Sequence, residues 1–263
     1  MKQSTLVLLI LTSICGFLII LASCSKNDDT TNSIDETSYE SNEKGKYQDF
    51  LTPNYYNTDN TSLRNEINKY VYFARNVDYN HPFQKPGGQI NTTYSIGKDF
   101  GFVTNGVQYH PALDMHPNNS TNIILYAAHD GIVHTYRDNP KYRHHLSITK
   151  DIYDDDDNLL GKLVSIYAHI DLDEDESNHL FMDGTKVNKG DIISENLYSE
   201  TVGGPHLHLE IRFYRSDESS NDEFYHWQQN STYTAPSAGI WTYGYWNLNI
   251  GYGYGNPQNM GIN

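Results

Sequence analysis

The feature that most constrains this chain is a series of short strand-like segments separated by turns, with no helical pattern between them. The pattern begins near Thr92, and Asn122 to Ala128 is its first clear member. Asp130-Gly131 is a turn signal, and Ile132 to Tyr136 follows it. His145 to Thr149, Gly161 to Ile170, Lys186 to Ile193 and His206 to Tyr214 continue the series. Such spacing implies a mainly β fold built on an antiparallel sheet. The abundance of Tyr (22) and Gly (19) suits β structure with long polar loops better than a helical bundle.

Upstream, Leu63, Ile67, Tyr70, Val71 and Ala74 fall at helical spacing, with Thr61 or Ser62 available as a cap. One short N-terminal helix packed on the β domain is expected there. Asn80 to Gly88 holds two prolines and a Gly pair and reads as loop. The acidic runs Asp154 to Asp157 and Asp171 to Glu176 lack the Gly and Glu that a helix-loop-helix calcium site requires, and they read as solvated turns.

The strands carry histidines. In Gly203-Gly-Pro-His-Leu-His-Leu-Glu-Ile211, His206 and His208 are two residues apart and share one face of a strand. Neutral imidazole binds zinc well, and an imidazole that does not ligate can move protons near neutral pH. The pair alone fits two surface histidines as readily. His110-Pro-Ala-Leu-Asp114 and Tyr167-Ala-His169, both upstream, favour chemistry. A hydrolytic zinc site usually has three protein ligands and one open position. The candidates are His110, Asp114 and one of His206 and His208, with further histidines close by to transfer protons.

The first residues read as a targeting segment. Lys2 precedes an almost unbroken apolar run from Leu6 to Ile20, and Leu21-Ala-Ser-Cys24 follows. The run is near the lower limit for a membrane span. The cysteine after Leu-Ala-Ser instead resembles a bacterial lipoprotein junction, with Cys24 lipidated as the mature N-terminus. Cys15 leaves with the signal, so the mature domain has no free thiol, and any metal must be held by His, Asp or Glu. Residues 25 to about 58 are too polar to bury a core and read as a flexible tether. Its Asp28-Asp29 pair fits a surface-export tract or plain solvated linker. A net charge of -15 with no basic block argues against nucleic acid as a partner.

His110-x-x-x-Asp114, Tyr167-x-His169 and His206-x-His208, in this order, resemble the lysostaphin/LytM-type zinc endopeptidases, peptidase family M23. The flanks Tyr126-Ala-Ala-His-Asp-Gly-Ile-Val133 and Val187-Asn-Lys-Gly-Asp-Ile192 agree with it. The resemblance implies an antiparallel sheet of the duplicated-hybrid type. It implies a Zn2+ ion held by His110, Asp114 and His208, with His169 and His206 as catalytic histidines beside it. The implied substrates are the stem or cross-bridge peptides of peptidoglycan. Ala112 stands where the family usually has Gly, and the segment before His206 has fewer glycines than usual, which bears on substrate choice. The remaining histidines, His81, His116, His129, His134, His144, His145, His179 and His226, match no motif and read as surface or hydrogen-bonded structural residues, with His129 or His134 at most lining a cleft.

The chain thus divides into a signal peptide (1–23), a polar tether (24–58), helix and loop (59–94), the peptidase-like domain (95–215) and an aromatic, Gly-rich extension (216–263). The aromatics of the extension are expected to pack on the domain, the alternative being a stacking surface for a sugar. The whole is expected to act as a monomer in the bacterial cell envelope, on the outer membrane. The alternatives are a non-catalytic regulator of cell-wall amidases and a glycan- or wall-binding lipoprotein.

Overall fold

The computed structural model describes residues 61–101, 103–104, 108–118, 121–139, 142–177, 183–215, 244–247 and 252–262. The expected signal, Cys24 and the polar tether lie outside the described residues, as do His179 and His226.

The fold is mainly antiparallel β behind one N-terminal helix. Helix α1 (Thr61–Arg75) leads to strands β1 (Tyr94–Lys98), β2 (Val103–Thr104), β3 (Gln108–Tyr109), β4 (Ala112–Pro117) and β5 (Asn122–Tyr126). There follow β6 (Gly131–Asn139), β7 (Arg143–Tyr153), β8 (Leu159–Ile170), helix α2 (Leu172–Ser177), β9 (Lys186–Val187), β10 (Ile192–Asn196) and β11 (Leu207–Arg215). Strands β12 (Gly244–Asn247) and β13 (Tyr252–Gly255) and a 3-10 turn (Pro257–Met260) end the described chain. The nine-stranded main sheet runs β1-β4-β11-β8-β7-β6-β9, with β13 also on β11 and β12 on β13. Strands β10 and β5 form a second small sheet, and β2 and β3 a third.

The sheet has two unlike faces. Leu207, Leu209, Ile211 and Phe213 of β11 alternate onto one face and are buried. Burying each side chain of this size contributes about 1.5–3 kcal/mol. Helix α1 joins that core through Ile67, Tyr70, Val71 and Ala74, and the Tyr70 ring meets Phe213 edge-on at 5.5 Å. Gly161 is required beneath it, because a Cβ there would lie 2.3 Å from the Tyr214 carbonyl oxygen and 3.2 Å from the Tyr70 ring. Lys69 on the same helix pairs with Asp154 at 2.9 Å and ties α1 to the β7–β8 turn. The other face of β11 carries His208, Glu210 and Arg212, all buried.

Two expectations are corrected. Lys186 to Ile193 is not one strand: Asp191 accepts the Asn188 backbone N–H at 2.8 Å, and Gly190 takes φ 81°, so a turn separates β9 from β10. The run Asp171 to Glu176 is not a solvated turn but forms most of α2, with Asp175 buried. Its carboxylate accepts from Ser194 Oγ at 2.6 Å and from the Glu195 backbone N–H at 2.9 Å. Those bonds offset the cost of burying the carboxylate. Of the aromatics expected to pack in the C-terminal segment, Tyr254 is described and is buried, and β13 lies along β11 from Ile211 to Tyr214.

Candidate metal centre

The site lies where β4 and β11 run side by side at the polar face. His110, just before β4, alternates with Ala112, Asp114 and His116 onto this face. Asp114 stands opposite His208 in the register, and His206 precedes β11 on the same side. His110 Nε2 lies 3.1 Å from Asp114 Oδ1, and His208 Nδ1 lies 2.9 Å from that same oxygen. The two ring nitrogens are 3.3 Å apart. His110, Asp114 and His208 each offer a ligand atom, all within 4.8 Å of one another.

The outer hydrogen bonds decide which atoms face inward. His110 Nδ1 donates to the Asp99 carbonyl at 3.3 Å, which leaves a lone pair on Nε2. His208 Nε2 donates to Glu210 Oε1 at 2.9 Å, which turns Nδ1 toward Asp114 and His110. Glu210 is held in turn by Arg212, Nε to Oε2 2.6 Å, and by the Tyr142 hydroxyl. The Tyr142 ring rests on His208 with centroids 5.1 Å apart. Three lone pairs converging at these distances need a shared cation. A proton is the smallest one. Burial disfavours it on His208, but the hydrogen bonds and charges of Asp114 and Glu210 overcome burial and raise the ring to about 9. Burial likewise opposes ionisation of Asp114, yet its close contacts with the His110 and His208 rings hold its carboxyl well below the usual range. The donor set therefore fits a divalent metal with mixed nitrogen and oxygen preference.

His169 and His206 stand beside this group. His206 Nδ1 donates to the Gly204 carbonyl at 2.8 Å, and His169 Nδ1 donates to the Tyr142 carbonyl at 3.1 Å. Carbonyls only accept, so each ring keeps its lone pair on Nε2. The His169 ring centroid is 4.7 Å from His206 and 5.6 Å from His208. Strand alternation would turn His169 away, since Ala168 opposes His208. Its left-handed backbone, φ 63°, breaks the alternation. Burial chiefly, aided by the neighbouring His208 and His206, lowers His169 to about 3, and burial lowers His206 as well. Both are neutral at pH 7.

His110, Asp114, His169, His206 and His208 thus come together, and four further residues join them without having been singled out. Glu210 and Arg212 stand in alternation after His208, a pattern that was available to find them. Tyr142 had no such signal. His116, read as a structural histidine without a motif, instead stacks on His206 at 4.6 Å and 24°. It falls two residues beyond Asp114, and that spacing was its signal. His129 packs edge-on to Tyr79, and His134 sits against Thr149 and Asp183.

A second group, His144, Asp171 and Asp173, also clusters. There the Leu172 backbone N–H donates to His144 Nδ1 at 3.1 Å and uses the ring's lone pair. Nε2 consequently carries hydrogen toward Asp173, 3.9 Å away. That ring presents no free donor pair to a metal.

No family model matches the chain, and no curated protein is similar to it. Solved structures do resemble its fold. A zinc-containing peptidase from Vibrio cholerae shares 20% identity over 51% of this chain and 36% of that one, with a TM-score of 0.35. The antimicrobial peptidase lysostaphin from Staphylococcus simulans shares 18% over 60% and 53%, also at 0.35. A mutant catalytic domain of the prophage-encoded M23 protein EnpA from Enterococcus faecalis shares 18% over 51% and 88%, at 0.32. The chain spans little more than a third of the Vibrio cholerae protein. At such identities and scores they lend this chain neither an activity nor a ligand.

Proposed function

We propose that this chain is a zinc-dependent endopeptidase that hydrolyses peptide bonds in the stem or cross-bridge peptides of peptidoglycan. The observation that carries the reading is the convergence of His110 Nε2, Asp114 Oδ1 and His208 Nδ1 beside two neutral histidines with free Nε2 lone pairs. Two imidazoles and one carboxylate suit zinc and leave a coordination position for substrate. Bound there, zinc would polarise the scissile carbonyl. His208 would ligate through Nδ1, with Glu210, Arg212 and Tyr142 fixing its orientation from behind. His169 and His206, neutral at pH 7, can each accept a proton at Nε2 and return it to the leaving amine. Asp114, His206 and His208 are each buried, so the charges that develop meet little bulk water.

The test is incubation of the purified chain with peptidoglycan, with and without a chelator, followed by mass analysis of the fragments. Peptide-bond cleavage that stops on chelation and returns with zinc is the expected result. Binding without any release would sink the reading in favour of a regulator or a wall-binding protein. We further propose attachment to the outer membrane through lipidated Cys24, supported by the Leu-Ala-Ser-Cys junction after an apolar run. Cys24→Ser should abolish acyl labelling; continued labelling at that junction would refute the anchor.

A further inference from the structure

His116 is not one of the clustered metal-ligand candidates, yet its ring lies against the centre. Its strand position, two beyond Asp114, puts the imidazole on the polar face of β4. There it stacks on His206 with centroids 4.6 Å apart and planes 24° apart. The edge of the His116 ring also meets β1. An added Cβ at Gly97 would lie 2.2 Å from His116 Nε2 and 2.6 Å from its Cδ2. The β1–β4 register is irregular at this point, between Ile96 and Lys98. A glycine at a strand irregularity often marks such a close approach. His116 thus has its ring edge against the Gly97 backbone and its face on His206, and His169 meets His206 edge-on.

We propose that His116 is a positioning residue for the proton chemistry: seated by its edge against Gly97 and stacked on His206, it fixes the plane of the His206 ring. The Gly204 carbonyl holds one atom of that ring, Nδ1, at 2.8 Å. A single hydrogen bond still allows the ring to tilt about it. Flat contact with His116 and the edge contact with His169 restrict that freedom. Nε2 then stays aimed toward Asp114, 3.7 Å from its Oδ1, where the reaction would need it. Gly97 is part of the device, because a side chain at that position would displace the His116 ring. The role rests on the peptidase reading above, but the ring geometry it describes does not.

The full chain, loaded with zinc, tests this through His116→Ala, His116→Phe and Gly97→Ala. Turnover and KM are measured on a soluble cross-linked peptide, together with zinc content, melting temperature and NMR of isotope-labelled histidine rings. His116→Ala should keep its zinc, its KM and its fold while kcat falls about tenfold to a hundredfold, as expected for a misplaced reacting group. Its His206 ring signals should broaden or report mixed tautomers. His116→Phe, flat but without ring nitrogens, should recover most of the turnover and the sharp signals. Gly97→Ala should behave as His116→Ala does. Full turnover in His116→Ala, loss of its zinc, or no recovery in His116→Phe would overturn the role. If the unaltered chain cuts nothing, the peptidase reading fails by itself. The His206 signals then decide the positioning, and no change in His116→Ala would refute it.

Discussion

The two halves of the centre use the same side chain in opposite ways, and the difference lies in what each imidazole is hydrogen-bonded to. His208 is backed by a carboxylate, Glu210, and faces another, Asp114. Negative charge on both sides makes it a place for a cation. His169 and His206 are backed by the backbone carbonyls of Tyr142 and Gly204, which fix the tautomer without adding a full charge. These rings stay neutral and available as bases. Identity of the residue does not separate a ligand from a base; the atom behind it does.

The largest expected effect breaks the cation half. His208→Ala should lose both zinc and cleavage, as should His110→Ala, read as metal content and released peptide. Retained zinc at full stoichiometry in both would refute the ligand set. Next comes the proton half. His206→Ala should keep zinc and melting temperature while turnover falls by about 10²–10⁴-fold, the usual contribution of a general acid or base. Zinc loss in this variant would erase the distinction between the halves.

Smaller effects sharpen the comparison. Glu210→Gln keeps a hydrogen-bond acceptor behind His208 but removes the charge, so zinc affinity should fall about 10–100-fold. Titration with a competing chelator measures it, and an unchanged affinity would show that the charge is irrelevant. Acidity gives a further signature. The raised pKa of His208 means that metal-free protein gains stability from its imidazolium in full below about pH 6.5. That contribution fades as pH rises toward about 9. Zinc competes for the same Nδ1, so its affinity should climb over the same window. A flat affinity from pH 6.5 to 9 would count against His208 as the ligand. The smallest effect belongs to the second cluster: Asp173→Asn should leave metal content unchanged, because the lone pair of His144 is already used by Leu172.

Much of this was legible in the chain. The strand periodicity of β5, β6, β7, β8 and β11 and the helical spacing of Ile67, Tyr70, Val71 and Ala74 reflect local alternation, which a sequence displays directly. The shared face of His206 and His208 is the same kind of fact, and so is the alternation that puts Glu210 behind His208. The break between β9 and β10 and the burial of Asp175 were missed, because side chains closing on backbone decide them rather than periodicity.

What the sequence by itself determined is the donor inventory and its order: no thiol after Cys24, histidines and a carboxylate at strand spacings, and a mainly antiparallel β frame to hold them. Only the tertiary structure decided which atoms meet. The antiparallel register sets Asp114 opposite His208 although 94 positions separate them. The left-handed turn at His169 reverses a side chain that alternation would send to the core. Tyr142 reaches the centre from the turn just before β7, with its carbonyl on His169 and its hydroxyl on Glu210. The physical reason is range. Periodicity is written by neighbours along the chain, whereas tautomers, charges and ring stacks depend on groups that meet only when distant strands pair.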